Sequence, residues 1–127
     1  MAPQIHRKET YLMAKTCNVA LIGQGFMGRT HSNAYLKVSK FFHDLPLDPV
    51  MHTVFGMEQE NPAAFAARWG WKNWVTDWRK AIRDADVNFV DLVTPNYMHM
   101  EPALAAMAAG KPVATEKPIA GTLADAR

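Results

Sequence analysis

Short apolar runs alternate along this chain with longer segments whose apolar residues recur at helical spacing. The run Val19-Ala20-Leu21-Ile22 contains no polar residue, which is typical of a strand buried on both faces of a parallel sheet. The pattern predicts five strands, each followed by a helix. The predicted strands are 17–22, 50–55, 73–75, 87–93 and 113–115, and the predicted helices are 27–38, 63–69, 78–83, 103–109 and a short last one after 122.

Residues at the predicted helix ends support these boundaries. Asn61 and Pro62 form a typical helix start, because asparagine caps free backbone N–H groups and proline fits the first helical position. Gly70 provides the matching stop. Thr122 is a further N-cap, with Asp125 at the position where a capping box has an acid.

Strands that alternate with helices build βαβ units and therefore a parallel sheet. Right-handed crossovers and a glycine-rich turn after the first strand favour a Rossmann-type, doubly wound α/β fold with strand order 3-2-1-4-5 and helices on both faces. The sixth strand of that arrangement is absent from the 127 residues. Residues 15–127 are expected to form one domain, and residues 1–14 are expected to be a disordered extension.

Gly23, Gly25 and Gly28 follow the first strand at the spacing G-x-G-x-x-G and precede a predicted helix. The first glycine permits a tight turn, the second lets the backbone approach a pyrophosphate, and the third allows close packing of helix on sheet. The helix N-terminus then offers free N–H groups to an anion. The alternative, a plain flexible turn, is less favoured because a strand precedes the glycines and a helix follows them.

Two further polar segments are expected at the carboxyl edge of the sheet, where ligands bind in open α/β folds. Thr94-Pro95-Asn96 ends the fourth strand abruptly and directs Asn96 towards that edge. His99 is either a ligand-binding imidazole or simply a residue at a helix start.

Lys117 follows the fifth strand directly, between Glu116 and Pro118. An ammonium group there can hold a substrate hydroxyl, because it stabilises negative charge that develops on oxygen. A solvated surface lysine is the alternative.

Composition narrows the function classes. The net charge is +2 and no basic run of five residues occurs, so nucleic acid is not an expected partner. A single cysteine excludes an internal disulfide, and no apolar run has transmembrane length, which fits a cytoplasmic protein without a membrane partner. The four tryptophans between residues 69 and 78 are predicted to be partly buried in the core rather than to form a stacking surface.

Taken together, three motifs resemble the glucose–fructose oxidoreductase/inositol dehydrogenase (Gfo/Idh/MocA) family. They are GQGFMGRTH at 23–31, TPNYMH at 94–99 and AGKPVATEKP at 109–118. The resemblance implies NAD(P)-dependent hydride transfer to or from a hydroxyl-bearing carbon of a sugar, polyol or related small molecule.

The resemblance also implies roles for individual residues. The residues that would line the pyrophosphate are Gly23, Gly25, Phe26, Met27 and Gly28. Those that would border the ribose and nicotinamide are Thr94, Pro95, Asn96 and His99. Glu116 would lie at the nicotinamide, and Lys117 would be the catalytic lysine that assists proton transfer at the substrate hydroxyl. No metal site is expected.

The sequence departs from the family pattern at the end of the second strand. NAD-dependent enzymes place an acid there to hold the adenosine ribose, but this chain has Gly56. Glu58 can substitute from the following loop, and its charge disfavours the 2′-phosphate of NADP. No arginine follows the strand closely, so NAD is favoured over NADP.

The second departure is the substrate domain. Family members carry a C-terminal domain that supplies the substrate pocket, and this chain stops at Arg127. The expected protein is therefore a truncated oxidoreductase that is inactive alone and homo-oligomeric at full length. Two alternatives stay open: a non-catalytic NAD(P)-binding module, and a relative that recycles NAD during glycoside cleavage.

Overall fold

The computed structural model of the protein describes residues 15–127, so the extension expected at 1–14 lies outside the described residues. The strands are β1 (Lys15–Ile22), β2 (Leu47–Phe55), β3 (Asn73–Val75), β4 (Phe89–Leu92) and β5 (Val113–Thr115). The α-helices are α1 (Phe26–Phe41), α2 (Pro62–Trp69), α3 (Trp78–Arg83), α4 (Met100–Ala108) and α5 (Leu123–Ala126), with 3-10 turns at Glu58–Glu60 and Asn96–Met98.

The five strands form one parallel sheet in the order β3-β2-β1-β4-β5, which confirms the predicted Rossmann-type topology. The order reverses next to β1, since β1 pairs with β2 on one side and with β4 on the other. Ligand crevices form at such a reversal, outside the carboxyl ends of the strands.

Apolar side chains of the central strands alternate between the two faces and form two cores. On one face, Ile22 and Leu92 pack with residues of α3 and α4. On the other face, Leu21 and Val54 pack with α2 and with Tyr35 of α1. The sheet is therefore covered on both faces, as its unbroken apolar runs predict.

Two elements, β2 and α4, begin three residues earlier than predicted. The β2 strand starts at Leu47, within a segment expected to be a loop, because its backbone pairs with Lys15 of β1. Pro49 is tolerated there because β3 pairs only with residues 53–55, so this part of β2 has a single partner strand. The α4 helix starts at Met100 rather than 103, because a proline in the first turn leaves no hydrogen bond unmade.

The predicted caps are present. Asn61 accepts a hydrogen bond from the Ala64 N–H, and Thr122 accepts one from the Asp125 N–H. Among the tryptophans, Trp71 is buried and its indole N–H donates to Ser32 Oγ at 3.0 Å, whereas Trp74 is half exposed. Burial in the core is thus confirmed for Trp71 and wrong for Trp74, which lies on the short edge strand β3.

Candidate functional site

The carboxyl edge of the sheet brings together the three segments that the sequence singled out. Backbone hydrogen bonds link them through the central strands. The Gly23 N–H donates to Phe55 O (3.1 Å), the Val93 N–H to Ile22 O (3.0 Å) and the Glu116 N–H to Leu92 O (3.1 Å). The glycine loop, the segment after β4 and the segment after β5 therefore share one edge.

Two of the three loop glycines are required by the packing of the chain itself. Gly23 has φ +119°, and a Cβ there would lie 3.1 Å from the backbone of Val93 and Thr94. A Cβ on Gly28 would lie 2.6 Å from Gly23 O, so α1 could not approach the loop as it does. Gly25 differs, because its φ is −68° and, among residues 15–127, no atom lies within 4 Å of the position of a Cβ. The protein leaves this position open.

Gly25 is also the N-cap of α1, a helix of 16 residues. No side chain of the described part of the chain caps this end and no acidic residue lies in the first turn, so the first backbone N–H groups are available to an external acceptor. The side chain of Phe26 is exposed, with the Arg29 guanidinium 5.7 Å from its ring centroid. An open glycine, uncapped N–H groups and a nearby cation fit a pyrophosphate.

The segment after β4 contains a buried polar side chain. Thr94 is buried, and its Oγ1 has no hydrogen-bond partner within the described residues. Such an atom fits a ligand that brings its own donor or acceptor. Asn96 is half buried and begins a 3-10 turn, while Pro95 is exposed. Asn96 and Tyr97 line a cavity of about 250 Å³ together with residues of α4 and α5.

His99 does not face the open edge. It is buried, with Nε2 2.8 Å from Thr94 O and Nδ1 3.1 Å from Pro118 O. Its ring therefore joins the loop after β4 to the segment after β5, and neither nitrogen points to an open position. Of the two alternatives in the sequence, this geometry favours a structural role close to the site.

Lys117 is exposed directly after β5, and its peptide bond to Pro118 is cis. Both of its neighbours in the chain are held by histidine side chains from other parts of the fold. The Pro118 carbonyl is bound by His99, and the Glu116 carboxylate contacts Nε2 of His31 at 2.7 Å. Lys117 thus stands between two anchored residues at the edge of the sheet.

The contact of Glu116 belongs to a cluster that sequence reasoning missed. On its other side the His31 ring contacts the buried Asp91 of β4, with Nδ1 2.7 Å from Oδ2. The same Asp91 oxygen accepts a hydrogen bond from the Tyr35 hydroxyl at 2.8 Å. The imidazole therefore lies directly between two carboxylates.

The charges around the cluster shift two pKa values. Partial burial lowers the pKa of His31, but the hydrogen bonds and negative charges of Asp91 and Glu116 outweigh it, so the pKa is raised above its ordinary value. Burial, reinforced by Asp91, raises the pKa of Tyr35, which keeps the phenol protonated as a donor.

Two features of the sequence could have revealed this cluster. Asp91 is the one charged residue in the apolar run 87–93, and a buried carboxylate requires partners. His31 and Tyr35 are four residues apart and so lie on one face of α1. The sequence does not show that this face covers β4.

Gln24 is a second residue that the sequence did not single out. Its side chain lies over Gly56 at the end of β2, where a Cβ on that glycine would clash with Oε1. The Gln24 amide donates to Glu60 O, whereas its Oε1 is buried without a partner within residues 15–127. Glu58 is exposed on the neighbouring 3-10 turn. The place of the usual acid is thus filled by a neutral amide.

Within residues 15–127, no three His, Cys, Asp or Glu side chains are arranged to hold a metal ion. The same part of the chain has no helix with the length and apolar character needed to span a bilayer.

Comparison with known proteins agrees with this geometry. Residues 17–127 match the profile of the GFO_IDH_MocA oxidoreductase family, described as having an NAD-binding Rossmann fold. The chain is 46% identical over 105 residues to levoglucosan dehydrogenase of Pseudarthrobacter phenanthrenivorans, covering 83% of this chain and 27% of that enzyme. It is 36% identical over 109 residues to 4-carboxy-2-hydroxymuconate-6-semialdehyde dehydrogenase of a Sphingobium species, covering 85% and 32%.

Solved structures give the same result. Levoglucosan dehydrogenase in complex with NADH superposes with a TM-score of 0.85 at 43% identity, over 87% of this chain and 30% of that one. Its complex with NADH and levoglucosan gives a TM-score of 0.84. The site and fold define a dinucleotide-binding domain of the Rossmann type. The chain belongs to the Gfo/Idh/MocA family of NAD-binding oxidoreductases, and spans about a third of the length of the relatives it matches.

Proposed function

We propose that this chain is the cofactor-binding domain of an NAD-dependent oxidoreductase that acts on a hydroxyl-bearing carbon of a sugar or polyol. The open position of Gly25 in front of the uncapped α1 terminus carries the proposal. The packing of the chain excludes a side chain at Gly23 and Gly28 but not at Gly25. A glycine at 25 is needed only if something outside the chain approaches its backbone there.

Phe26, Met27 and the loop glycines would hold the pyrophosphate, and the segment 94–96 would border the ribose and nicotinamide. Thr94 Oγ1 has no hydrogen-bond partner among residues 15–127, and it supports this assignment because it supplies a hydrogen-bonding atom beside Gly23. Glu116 and His99 would act indirectly. Their contacts would hold Lys117 and the loop after β4 in place.

NAD is favoured over NADP. The neutral Gln24 amide covers the end of β2, and Glu58 and Glu60 lie on the next turn. A 2′-phosphate would bring additional negative charge to a region with two carboxylates. Levoglucosan dehydrogenase, at 43% identity, has been solved with NADH.

The bound nicotinamide would accept or return the hydride. In the oxidative direction, the substrate C–H bond would break as its hydride passes to the nicotinamide, the hydroxyl proton would pass to solvent water, and a carbonyl would form. Lys117 would hold the substrate oxygen and stabilise the negative charge that develops on it. Its exposed position at the strand edge supports this role, because a substrate can reach it.

Substitution of Gly25 by alanine tests cofactor binding in the complete gene product that contains this chain. The thermal midpoint of the ligand-free protein should stay within about 2 °C, because the new Cβ meets no atom and φ is ordinary. The dissociation constant for NADH, from fluorescence titration, should rise at least about tenfold, which corresponds to about 1.4 kcal/mol. Unchanged NADH affinity in the variant would refute this assignment of the loop.

Substitution of Lys117 by methionine tests the catalytic role. With levoglucosan or an inositol as trial substrates, formation of NADH followed by absorbance should fall by about 10²-fold or more, the usual effect of losing one charge-stabilising donor. NADH affinity should change little. Normal turnover by this variant would remove the proposed role of Lys117, and NADH binding without turnover by the parent protein would favour the non-catalytic module.

A further inference from the structure

Asp91, His31 and Glu116 form a continuous chain of contacts from the interior of the sheet to the residue before Lys117. Both contacts of the imidazole are 2.7 Å long. The Asp91 side chain is 3% exposed, that of His31 27% and that of Glu116 25%. The chain thus runs from the core to the edge where the substrate would lie.

We infer that His31 is a positioning residue of the active site, which fixes Glu116 against α1 and thereby fixes the backbone of Lys117. The inference rests on the proposed function of Lys117. His31 can serve in this way because Asp91 holds its other nitrogen and because α1 carries it on a rigid 16-residue helix. Glu116 contacts His31 and directly precedes Lys117 in the chain.

The imidazole can donate to both carboxylates only when both of its nitrogens are protonated. The neutral ring donates from one nitrogen and presents a lone pair at the other, which repels the second carboxylate. Asp91 is buried and is also bound by Tyr35, so the less buried partner, Glu116, is the one released when the ring loses its proton.

The groups around His31 come from three elements. Asp91 faces it from β4 and Glu116 from the segment after β5, while the Tyr35 hydroxyl of α1 binds Asp91 from behind. Both charged neighbours are acids, and their hydrogen bonds and negative charges raise the pKa of His31 above its ordinary value. Protonation of His31 is therefore coupled to the position of Glu116.

The complete gene product and its His31→Gln and Glu116→Gln variants test the inference. Each substitution should lower kcat about tenfold while KM for NAD stays within about twofold, since the glycine loop that grips the pyrophosphate is untouched. The two losses should not add in the double variant, because they break one contact. The ratio of wild-type to His31→Gln kcat should fall as pH rises from 6 to 9. His43→Gln, an exposed histidine in the loop after α1, is the matched control.

Additive losses, or a kcat of His31→Gln within twofold of the parent, would overturn the inference. Glu116→Gln keeps the buried Asp91–His31 pair, so it tests the same contact if His31→Gln folds poorly.

A measurement that does not depend on turnover distinguishes a failure of this inference from a failure of the proposed function. The rate of Lys117 acetylation by acetic anhydride, measured by mass spectrometry, should change at least threefold in Glu116→Gln. The rate at Lys37, exposed on α1, should stay the same. An unchanged rate at Lys117 would refute its positioning by Glu116. A changed rate combined with normal turnover by Lys117→Met would instead refute only the catalytic role.

Discussion

His31 is the residue whose charge state has the widest consequences. Its raised pKa means that the folded protein binds a proton more tightly than the unfolded chain, where a histidine has its ordinary value of 6.5. The stabilisation is therefore fully present below pH 6.5 and is lost as pH rises through the higher folded-state value.

The stability of His31→Gln should report this dependence. Its free energy of unfolding in urea should lie about 1–3 kcal/mol below that of the parent at pH 6, since it loses charge-assisted hydrogen bonds. The deficit should shrink as pH rises through the raised folded-state pKa of His31, because the parent ring then loses its proton. His43→Gln should show no such trend. A deficit that is constant from pH 6 to 9 would mean that the cation does not stabilise the cluster.

The junction between β1 and α1 is the element that builds the binding edge. Its geometry depends on two close approaches, of Gly23 to β4 and of Gly28 to Gly23. Both bring backbone against backbone, so no side-chain rotation can make room for a methyl group.

Gly28→Ala should therefore destabilise the ligand-free protein, in contrast to Gly25→Ala. The Cβ would lie 2.6 Å from the Gly23 carbonyl oxygen, and we expect a loss of about 1–3 kcal/mol as α1 moves outward. Thermal unfolding of both variants, recorded without cofactor, is the measurement. Equal midpoints for the two would show that the loop tolerates a shift of the helix.

The described part of the molecule has an exposed apolar stripe on α4. Met100, Leu104 and Met107 recur at helical spacing and are 39%, 56% and 65% exposed. Ile119 and Leu123, in the segment after β5, are also exposed. Contiguous apolar surface of this kind promotes association in water.

An isolated 15–127 fragment should self-associate with increasing concentration in analytical ultracentrifugation. Leu104→Lys combined with Met107→Lys should reduce that association, since both side chains are on the surface and the fold does not depend on them. Lys37→Leu, on α1, offers the reverse control and should not reduce it. A monodisperse parent fragment at about 100 µM would contradict this expectation based on exposed apolar patches.

The sequence alone determined the strands, their order and the edge at which the binding segments meet. Apolar runs such as 19–22 require burial on both faces, and a glycine loop between strand and helix leaves few topologies open. Local chemistry also determined the caps at Asn61 and Thr122, since a cap depends on residues close in the chain.

Only the tertiary structure decided which side chains meet across that edge. His31 and Asp91 are 60 residues apart, and His31 and Glu116 are 85 apart. Their contact depends on how α1 lies across β4, which periodicity does not encode. The burial of the His99 ring against Thr94 and the placement of Gln24 over Gly56 also depend on tertiary packing. Side-chain partners are set by the packing of elements distant in sequence, whereas the elements themselves, apart from the start of β2 against β1, are set by neighbouring residues.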